Sequence, residues 1–142
     1  MSGFLLDTNV LSEFNRRGEP DERVKHWLET ADTESLYTSV LTFGEIRFGI
    51  ELLPPSKRRD QLERWLERDL HEWFDGRILP VDQSIADRWG LLRAQAQLKG
   101  RLLSVVDALL AATALKHNLT IVSRNAADFS VIDLAVVNPW ES

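Results

Sequence analysis

Residues 104–115 read SVVDALLAATAL, and Asp107 is the only charged residue in this run. The segment predicts a helix that is apolar on all sides, and such a helix is buried on most of its faces. A short apolar segment at 120–123 follows it and predicts a strand. A buried helix that leads into a short buried strand is typical of an α/β fold.

The rest of the chain repeats this alternation of short apolar segments with longer, helically periodic ones. Strands are predicted over residues 4–6, 36–40, 78–81, 120–123 and 134–137. Helices are predicted over residues 7–14, 21–30, 41–53, 56–74, 83–99 and 104–118. The pattern indicates an α/β sandwich on a mainly parallel central sheet. We expect a single domain over residues 1–142.

Composition limits the possible classes of protein. The chain has 142 residues, 44% hydrophobic and 27% charged, which is ordinary for a globular protein. It has no cysteine, which excludes disulfides and thiolate metal sites. Its three histidines form no HxxxH-type pair, so the pattern does not favour zinc. No segment resembles a signal peptide or a membrane span, so we expect a cytoplasmic protein without membrane contact.

The net charge of −5 is opposite to the usual footprint of a nucleic-acid-binding protein. Basic residues nevertheless cluster at positions 16–17, 57–59 and 99–101. These clusters are compatible with a local basic face, and equally with solvated surface.

Four acidic residues lie at the edge of, or inside, apolar segments: Asp7, Glu45, Asp107 and Asp128. Buried carboxylates are costly unless they are paired or bound to a cation, and the sequence shows no matching set of basic partners. Mg²⁺ and Mn²⁺ prefer such oxygen ligands. The four acids therefore predict a metal site for metal-assisted hydrolysis, in which a metal-bound water is the nucleophile.

Asp7 and Asp107 each have a purely structural alternative. Asp7 can be the N-cap of the helix that follows it. Asp107 stands three residues after Ser104, where an acid suits the first turn of a helix. The apolar surroundings of Asp107 favour a functional role, because an acid at this end of a buried helix can project into an internal cleft.

Glu45 and Asp128 also have structural alternatives. Thr42 and Glu45 match the capping-box pattern. However, Glu45 shares a helical stripe with Leu41, Phe48 and Leu52, which predicts apolar surroundings rather than ordinary surface. Asp128 lies in a polar segment after a strand, where aspartate is common in turns.

The chain resembles the PIN-domain family, and within it toxins of the VapC and FitB-like type. The resemblance spans nearly the whole chain in order. It rests on LLDTNVLSE at 5–13, SVLTFGEI at 39–46, VDALLAATA at 106–114, TIVSRNAADF at 120–129 and VNPW at 137–140. It implies a PIN-like α/β/α sandwich.

The resemblance also implies an activity and its partners. Members of this type are Mg²⁺- or Mn²⁺-dependent endoribonucleases, the toxins of type II toxin–antitoxin pairs. A VapB- or FitA-like antitoxin blocks the site, often with a basic side chain. Homodimers and toxin–antitoxin hetero-oligomers are the usual assemblies.

Site residues follow from the same resemblance, position by position. Asp7, Glu45 and Asp107 correspond to the metal-binding core, and Asp128 to the fourth acid. Many PIN domains have an aspartate where Asn125 stands, so either Asn125 or Asp128 supplies the fourth position.

Four further residues complete the predicted site. Thr8 and Asn9 have side chains that can orient a carboxylate or a metal-bound water. Ser123 replaces a common threonine and keeps its hydroxyl. Arg124 is a candidate contact for substrate phosphate, with a surface position as the alternative.

Three other functions are compatible with such a fold. A phosphatase that forms an aspartyl-phosphate usually has a second acid two residues after its nucleophile, and Asn9 stands there instead. A non-catalytic binding module would be suggested by loss of a core acid, and all four are present. A DNA nuclease is not separated from a ribonuclease by the sequence.

Overall fold

A computed structural model describes residues 3–15 and 18–141, so the basic pair predicted at 16–17 lies outside the described residues. A five-stranded sheet forms the centre of the fold, and every strand pair in it is parallel. The strands are β1 (Gly3–Leu6), β2 (Leu36–Ser39), β3 (Ile78–Leu79), β4 (Leu119–Val122) and β5 (Val136–Val137). Their spatial order is β3-β2-β1-β4-β5, which confirms the predicted α/β class and parallel sheet.

Helices connect the strands and cover both faces of the sheet. They are α1 (Thr8–Glu13), α2 (Glu22–Thr30), α3 (Val40–Glu51), α4 (Lys57–Arg64), α5 (Leu70–Trp73), α6 (Gln83–Leu98) and α7 (Val105–His117). A π-helical segment, Trp65–Asp69, joins α4 to α5. Short 3₁₀ turns lie at Thr33–Ser35, Ala126–Phe129 and Pro139–Glu141.

The sheet separates two hydrophobic cores because successive strand side chains point to opposite faces. Leu5 and Ile121 belong to the core that includes Leu110 of α7. Their neighbours Leu6 and Val122 belong to the other core, with residues of α1 to α5. The central strands β1 and β4 are therefore buried on both faces, as expected for a parallel sheet.

The ends of several predicted elements are wrong. Strand β2 ends at Ser39 because the Ser39 hydroxyl accepts a hydrogen bond from the Leu41 backbone N–H (3.1 Å) and so caps α3. Val40 is consequently helical, and the capping box that was the structural alternative for Thr42 and Glu45 does not form, because Ser39 is the N-cap. Strand β3 has only two residues, and the strand predicted for 78–81 stops before Pro80, which has no backbone N–H to donate.

Two more differences concern continuity and length. The helix predicted over residues 56–74 is interrupted by the π-helical segment, where one extra residue enters the turn. The last predicted strand, residues 134–137, is reduced to Val136–Val137. Across residues 3–15 and 18–141, no helix has the length and apolar character needed to cross a membrane.

Candidate active site

Asp7 lies at the carboxyl edge of the sheet, immediately after β1, and is only 7% exposed. Its backbone N–H donates to the Val122 carbonyl oxygen (2.9 Å), which continues the pairing of β1 with β4. One carboxylate oxygen accepts from the Thr8 backbone N–H (2.7 Å). Asp7 is therefore the N-cap of α1, and the structural role considered from sequence is real.

The second oxygen of Asp7 faces residues that follow β4. The Ser123 hydroxyl donates to Oδ2 of Asp7 (2.7 Å), and the Asn9 amide approaches the same oxygen at 3.4 Å. Ser123 is fully buried and accepts from the Asn125 backbone N–H (3.0 Å). The Asn9 amide also lies 3.5 Å from the Ser123 hydroxyl. Two predicted supporting residues thus contact the acid directly.

Asp107 occupies the first turn of α7 and is half-buried. Its backbone N–H donates to the hydroxyl of Ser104, the N-cap of the helix (3.1 Å). The following residues of α7 are mostly buried, including Ala108, Leu110 and Ala111. The predicted buried helix with an acid at its N-terminal end is therefore confirmed.

Glu45 reaches the site from α3, where its Oε1 accepts a hydrogen bond from the Thr8 hydroxyl. The prediction that Glu45 lies in a buried apolar stripe is wrong. Glu45 is exposed, and its neighbours Phe48 and Leu52 are 68% and 71% exposed. The apolar outer face of α3 is not covered by any part of the chain that the structure describes.

Three of the four predicted acids line one cleft of about 570 Å³. Its lining residues are Asp7, Thr8, Asn9, Ser12, Glu45, Ser104, Val106, Asp107 and Asn125. Asn125 therefore borders the cleft, whereas Asp128 does not and lies exposed on the 3₁₀ turn beyond it. The expectation that every acid has buried surroundings holds for Asp7 and in part for Asp107.

Sequence reasoning did not assign Ser12 and Ser104 to the site. Ser12 lies one helical turn after Thr8 on α1, so helical spacing was the available signal for it. Ser104 was recognised only as a helix cap. Its three-residue spacing from Asp107 also places its hydroxyl beside the acid.

Electrostatics oppose ionisation of the two less exposed acids. Burial raises the pKa of Asp7, and the charges of Glu45 and Asp128 raise it further, while hydrogen bonds from Ser123 and Thr8 oppose the shift. Burial also raises the pKa of Asp107; the hydrogen bond with Ser104 opposes this, and the charges of Asp7 and Asp128 add to it.

Among the residues that the structure describes, no basic side chain compensates this concentration of negative charge. None of the four acids forms a salt bridge with another residue in 3–15 or 18–141. A cation would remove both the mutual repulsion and part of the burial penalty.

The carboxylate oxygens of the cleft fit a hard divalent cation, but only a few of these side chains can bind one ion directly. In the described ranges, no three Asp, Glu or His side chains are placed so that they could hold one metal ion together. Mg²⁺ commonly binds through one or two carboxylates and keeps several waters. The residues therefore fit an ion bound by one or two carboxylates, and not a closed cage of all four.

Arg124 does not line the cleft. Its guanidinium carbon lies 5.3 Å from the centroid of the Trp140 ring, a cation–π distance. Its contact with substrate phosphate stays a prediction.

Comparisons with known proteins agree with this architecture. The PIN domain family model matches residues 4–134. Toxin FitB of Neisseria gonorrhoeae is 40% identical over 136 residues, which cover 96% of this chain and 97% of FitB. The VapC ribonuclease Y4jK of Sinorhizobium fredii is 36% identical over 137 residues, covering 96% of this chain and 97% of that protein.

Two solved structures extend the similarity to three dimensions. The crystal structure of FitAcB from Neisseria gonorrhoeae has a TM-score of 0.92 at 40% identity, covering 98% of this chain and 99% of that chain. A chain of a toxin–antitoxin complex from Klebsiella pneumoniae has a TM-score of 0.71 at 30% identity. The match covers 96% of this chain and 98% of that chain. With the family model matched over nearly the whole chain and the acids gathered at the carboxyl edge of the sheet, this chain belongs to the PIN-domain family.

Proposed function

We propose that this chain is the toxin of a type II toxin–antitoxin pair and acts as an endoribonuclease. The observation that carries the proposal is the convergence of Asp7, Glu45 and Asp107 on one cleft in a PIN domain. Full-length similarity to a protein named as a toxin and to one named as a ribonuclease supports the same function.

The reaction we propose is hydrolysis of RNA phosphodiester bonds with Mg²⁺ or Mn²⁺. When bound, the cation activates the attacking water and offsets the charge that develops on the phosphoryl and leaving oxygens. The supporting observation is an all-oxygen donor set that carries excess negative charge and lacks a basic partner among the described residues.

Each site residue then has a defined task. Asp7 and Asp107 hold the cation, and the Ser123 hydroxyl orients Asp7 through its 2.7 Å hydrogen bond. Glu45 orients the water, or takes the place of one of these two carboxylates at the cation, and the Thr8 hydroxyl fixes its position. Asp128 and Asn125 support the site from the loop after β4, and Arg124 contacts substrate phosphate.

The excess negative charge also suits inhibition by a protein. A VapB- or FitA-like antitoxin that inserts an arginine or lysine would pair with the carboxylates in place of the metal. A homodimer and a hetero-oligomer with the antitoxin are the assemblies we propose.

The test is cleavage of a mixed RNA pool by purified, antitoxin-free protein, with Mg²⁺ or Mn²⁺ compared with EDTA. Asp107→Asn serves as the control for contaminating nuclease, because it keeps the side-chain shape and removes the charge. We expect the parental protein to cleave RNA only with the metal. In Asp107→Asn, the cleavage rate should fall by more than the roughly 100-fold that is typical of losing an outer partner of a metal site. Cleavage by the variant at the parental rate would contradict the proposed site, since the activity would then come from a contaminating nuclease or from a centre that does not use Asp107.

Asp128→Asn distinguishes the fourth acid from the other three. Because Asp128 is exposed and does not line the cleft, we expect it to reduce cleavage less than Asp107→Asn does. An equal or greater loss would give Asp128 a primary role.

A further inference from the structure

The main chain of Arg124 is held on both sides by asparagine side chains. Its backbone N–H donates to Oδ1 of Asn9 (3.2 Å), and its carbonyl oxygen accepts from Nδ2 of Asn138 (3.1 Å). Asn9 lines the candidate active site, whereas Asn138 belongs to the C-terminal segment. The peptide of Arg124 therefore connects that segment to the site.

The pairing of β4 with β5 brings Asn138 next to the segment that contains Arg124. It directly follows β5, as Ser123 directly follows β4, and the two strands pair in parallel with Val122 opposite Val137. The Ser123 backbone N–H donates to the Val137 carbonyl oxygen (3.0 Å), which extends the pairing beyond β4. Both segments consequently leave the sheet side by side at its carboxyl edge.

The Asn138 side chain is fixed at both of its polar ends. Its Oδ1 accepts from the Trp140 backbone N–H (2.9 Å), so the amide nitrogen is directed at the Arg124 carbonyl. Trp140 is 7% exposed and belongs to the core that contains Leu6. The Trp140 ring also contacts the Arg124 guanidinium. The hydrophobic core thus anchors the group that holds Arg124.

The chain of contacts continues to the buried acid. With its Oδ1 bound to the Arg124 N–H, Asn9 directs its amide nitrogen towards Oδ2 of Asp7 (3.4 Å) and Oγ of Ser123 (3.5 Å). We propose that Asn138 is a positioning residue for the active site, acting through the Arg124 peptide and Asn9 on Asp7 and on the loop of residues 123–125. Its effect on catalysis rests on the proposed ribonuclease function, whereas its effect on the loop does not.

Two substitutions remove the contact with Arg124 while keeping the turn at Trp140. Asn138→Ser provides a hydroxyl that accepts from the Trp140 N–H, as serine does in such turns, but its side chain is too short to replace the amide. Asn138→Asp keeps the shape and the acceptor and replaces the amide donor with an oxygen that repels the Arg124 carbonyl. Asn138→Ser loses the donor without gaining a charge, whereas Asn138→Asp loses the donor and gains one. If both variants give the same result, the lost donor and not the added charge is its cause.

Asn118→Asp is the matched control. It introduces the same change and charge just before β4, at the opposite end of that strand, in a left-handed conformation (φ 55°) that asparagine and aspartate both tolerate. We expect it to leave both measurements at the parental values.

The first measurement is amide hydrogen exchange of intact, metal-free protein, followed by mass spectrometry. We expect faster exchange in both Asn138 variants, confined to peptides that contain residues 123–129, with parental protection in β1 and α7. The second is the kinetics of metal-dependent RNA cleavage well below the melting temperature. We expect kcat to fall by about 10- to 100-fold, as for other outer contacts of metal sites, with little change in KM.

Parental exchange together with parental kcat in both variants would overturn the proposal. Faster exchange across the whole molecule would also overturn it, because Asn138 would then only stabilise the fold. If the parental protein does not cleave RNA, the ribonuclease proposal fails, and the exchange data still decide whether Asn138 holds the loop.

Discussion

Helices α3 and α7 both bring an acid to the candidate active-site cleft, yet the protein surrounds them very differently. Helix α7 packs against α6 and β4, and most of its residues are buried. In helix α3, Val40 and Phe48 are 43% and 68% exposed, and Leu52, the C-cap that follows the helix, is 71% exposed. The two helices are similarly apolar in sequence, so composition alone does not decide whether a helix is buried.

This difference extends to how each acid is held. Asp107 is fixed by the packing of its helix, since the residues that follow it lie in the core. Glu45 is exposed, and the contact that directs it into the cleft is the hydrogen bond from the Thr8 hydroxyl. The site therefore combines an acid that the core positions with one that a single side chain positions.

The largest expected effect of the difference between α3 and α7 is on the free energy of unfolding. Leu110→Ala in α7 removes a side chain that is 1% exposed, and we expect it to lower the free energy of unfolding by about 2–5 kcal/mol. Phe48→Ala in α3 should change it by no more than about 0.5 kcal/mol, as for other exposed positions. Urea denaturation at two protein concentrations measures both. A large, concentration-dependent loss for Phe48→Ala would mean that another chain covers α3.

The next test concerns the hydrogen bond to Glu45. Thr8→Val preserves the side-chain shape and the backbone N–H that Asp7 caps, but removes the hydroxyl. We expect kcat for RNA cleavage to fall by about tenfold, at the lower end of the range for outer contacts.

Thr113→Val on α7 is the control for Thr8→Val. It removes the hydroxyl that donates to the Leu109 carbonyl (2.8 Å), away from the cleft, and should leave cleavage unchanged. If Thr8→Val cleaves RNA as fast as the parental protein, Glu45 does not depend on this contact.

A smaller effect is expected at the N-terminus of α7. Ser104→Ala removes the hydroxyl that caps Asp107, and we expect a loss of about 1 kcal/mol in the free energy of unfolding. Ser56→Ala removes a similar cap from α4, where the hydroxyl accepts from the Arg59 N–H (3.1 Å). Both variants should lose stability, but only Ser104→Ala should also reduce cleavage. Equal cleavage by the two would limit Ser104 to capping.

The smallest effect that we expect is a pH dependence of the free energy of unfolding that comes from Asp7. Because burial raises the pKa of Asp7 from 3.8, its ionisation lowers stability as the pH rises through the folded-state pKa. Asp7→Asn keeps a good N-cap without the charge. In EDTA, its free energy of unfolding should therefore exceed the parental value near neutral pH, and the difference should shrink below pH 3.8. Melting curves across this range would contradict the idea if the difference grew on acidification.

Sequence reasoning succeeded where several local signals agreed. The apolar run around Asp107 predicted both a buried helix and an acid at its N-terminal end. Asp7 and Ser123 were both predicted as site residues; each follows a strand of the parallel sheet, and they share a 2.7 Å hydrogen bond. These predictions depend on the chain's own periodicity and on the direction of the strands.

The errors arose where tertiary context decides. The stripe containing Glu45 is apolar in sequence, but whether another element covers it is a property of the whole fold. The position of Asp128 outside the cleft depends on the direction of a 3₁₀ turn, which no periodicity encodes. The Asn138 contact joins residues 14 positions apart through the register of β4 and β5, so it becomes visible only in three dimensions.

The outermost strands, β3 and β5, contain two residues each. Pro80 directly follows β3, and Pro139 stands two residues after the end of β5. Long, flat edge strands offer unpaired backbone groups to other chains and promote aggregation, whereas short edges next to proline do not. The short edges of the sheet therefore protect this chain against edge-to-edge fibre formation even at high concentration.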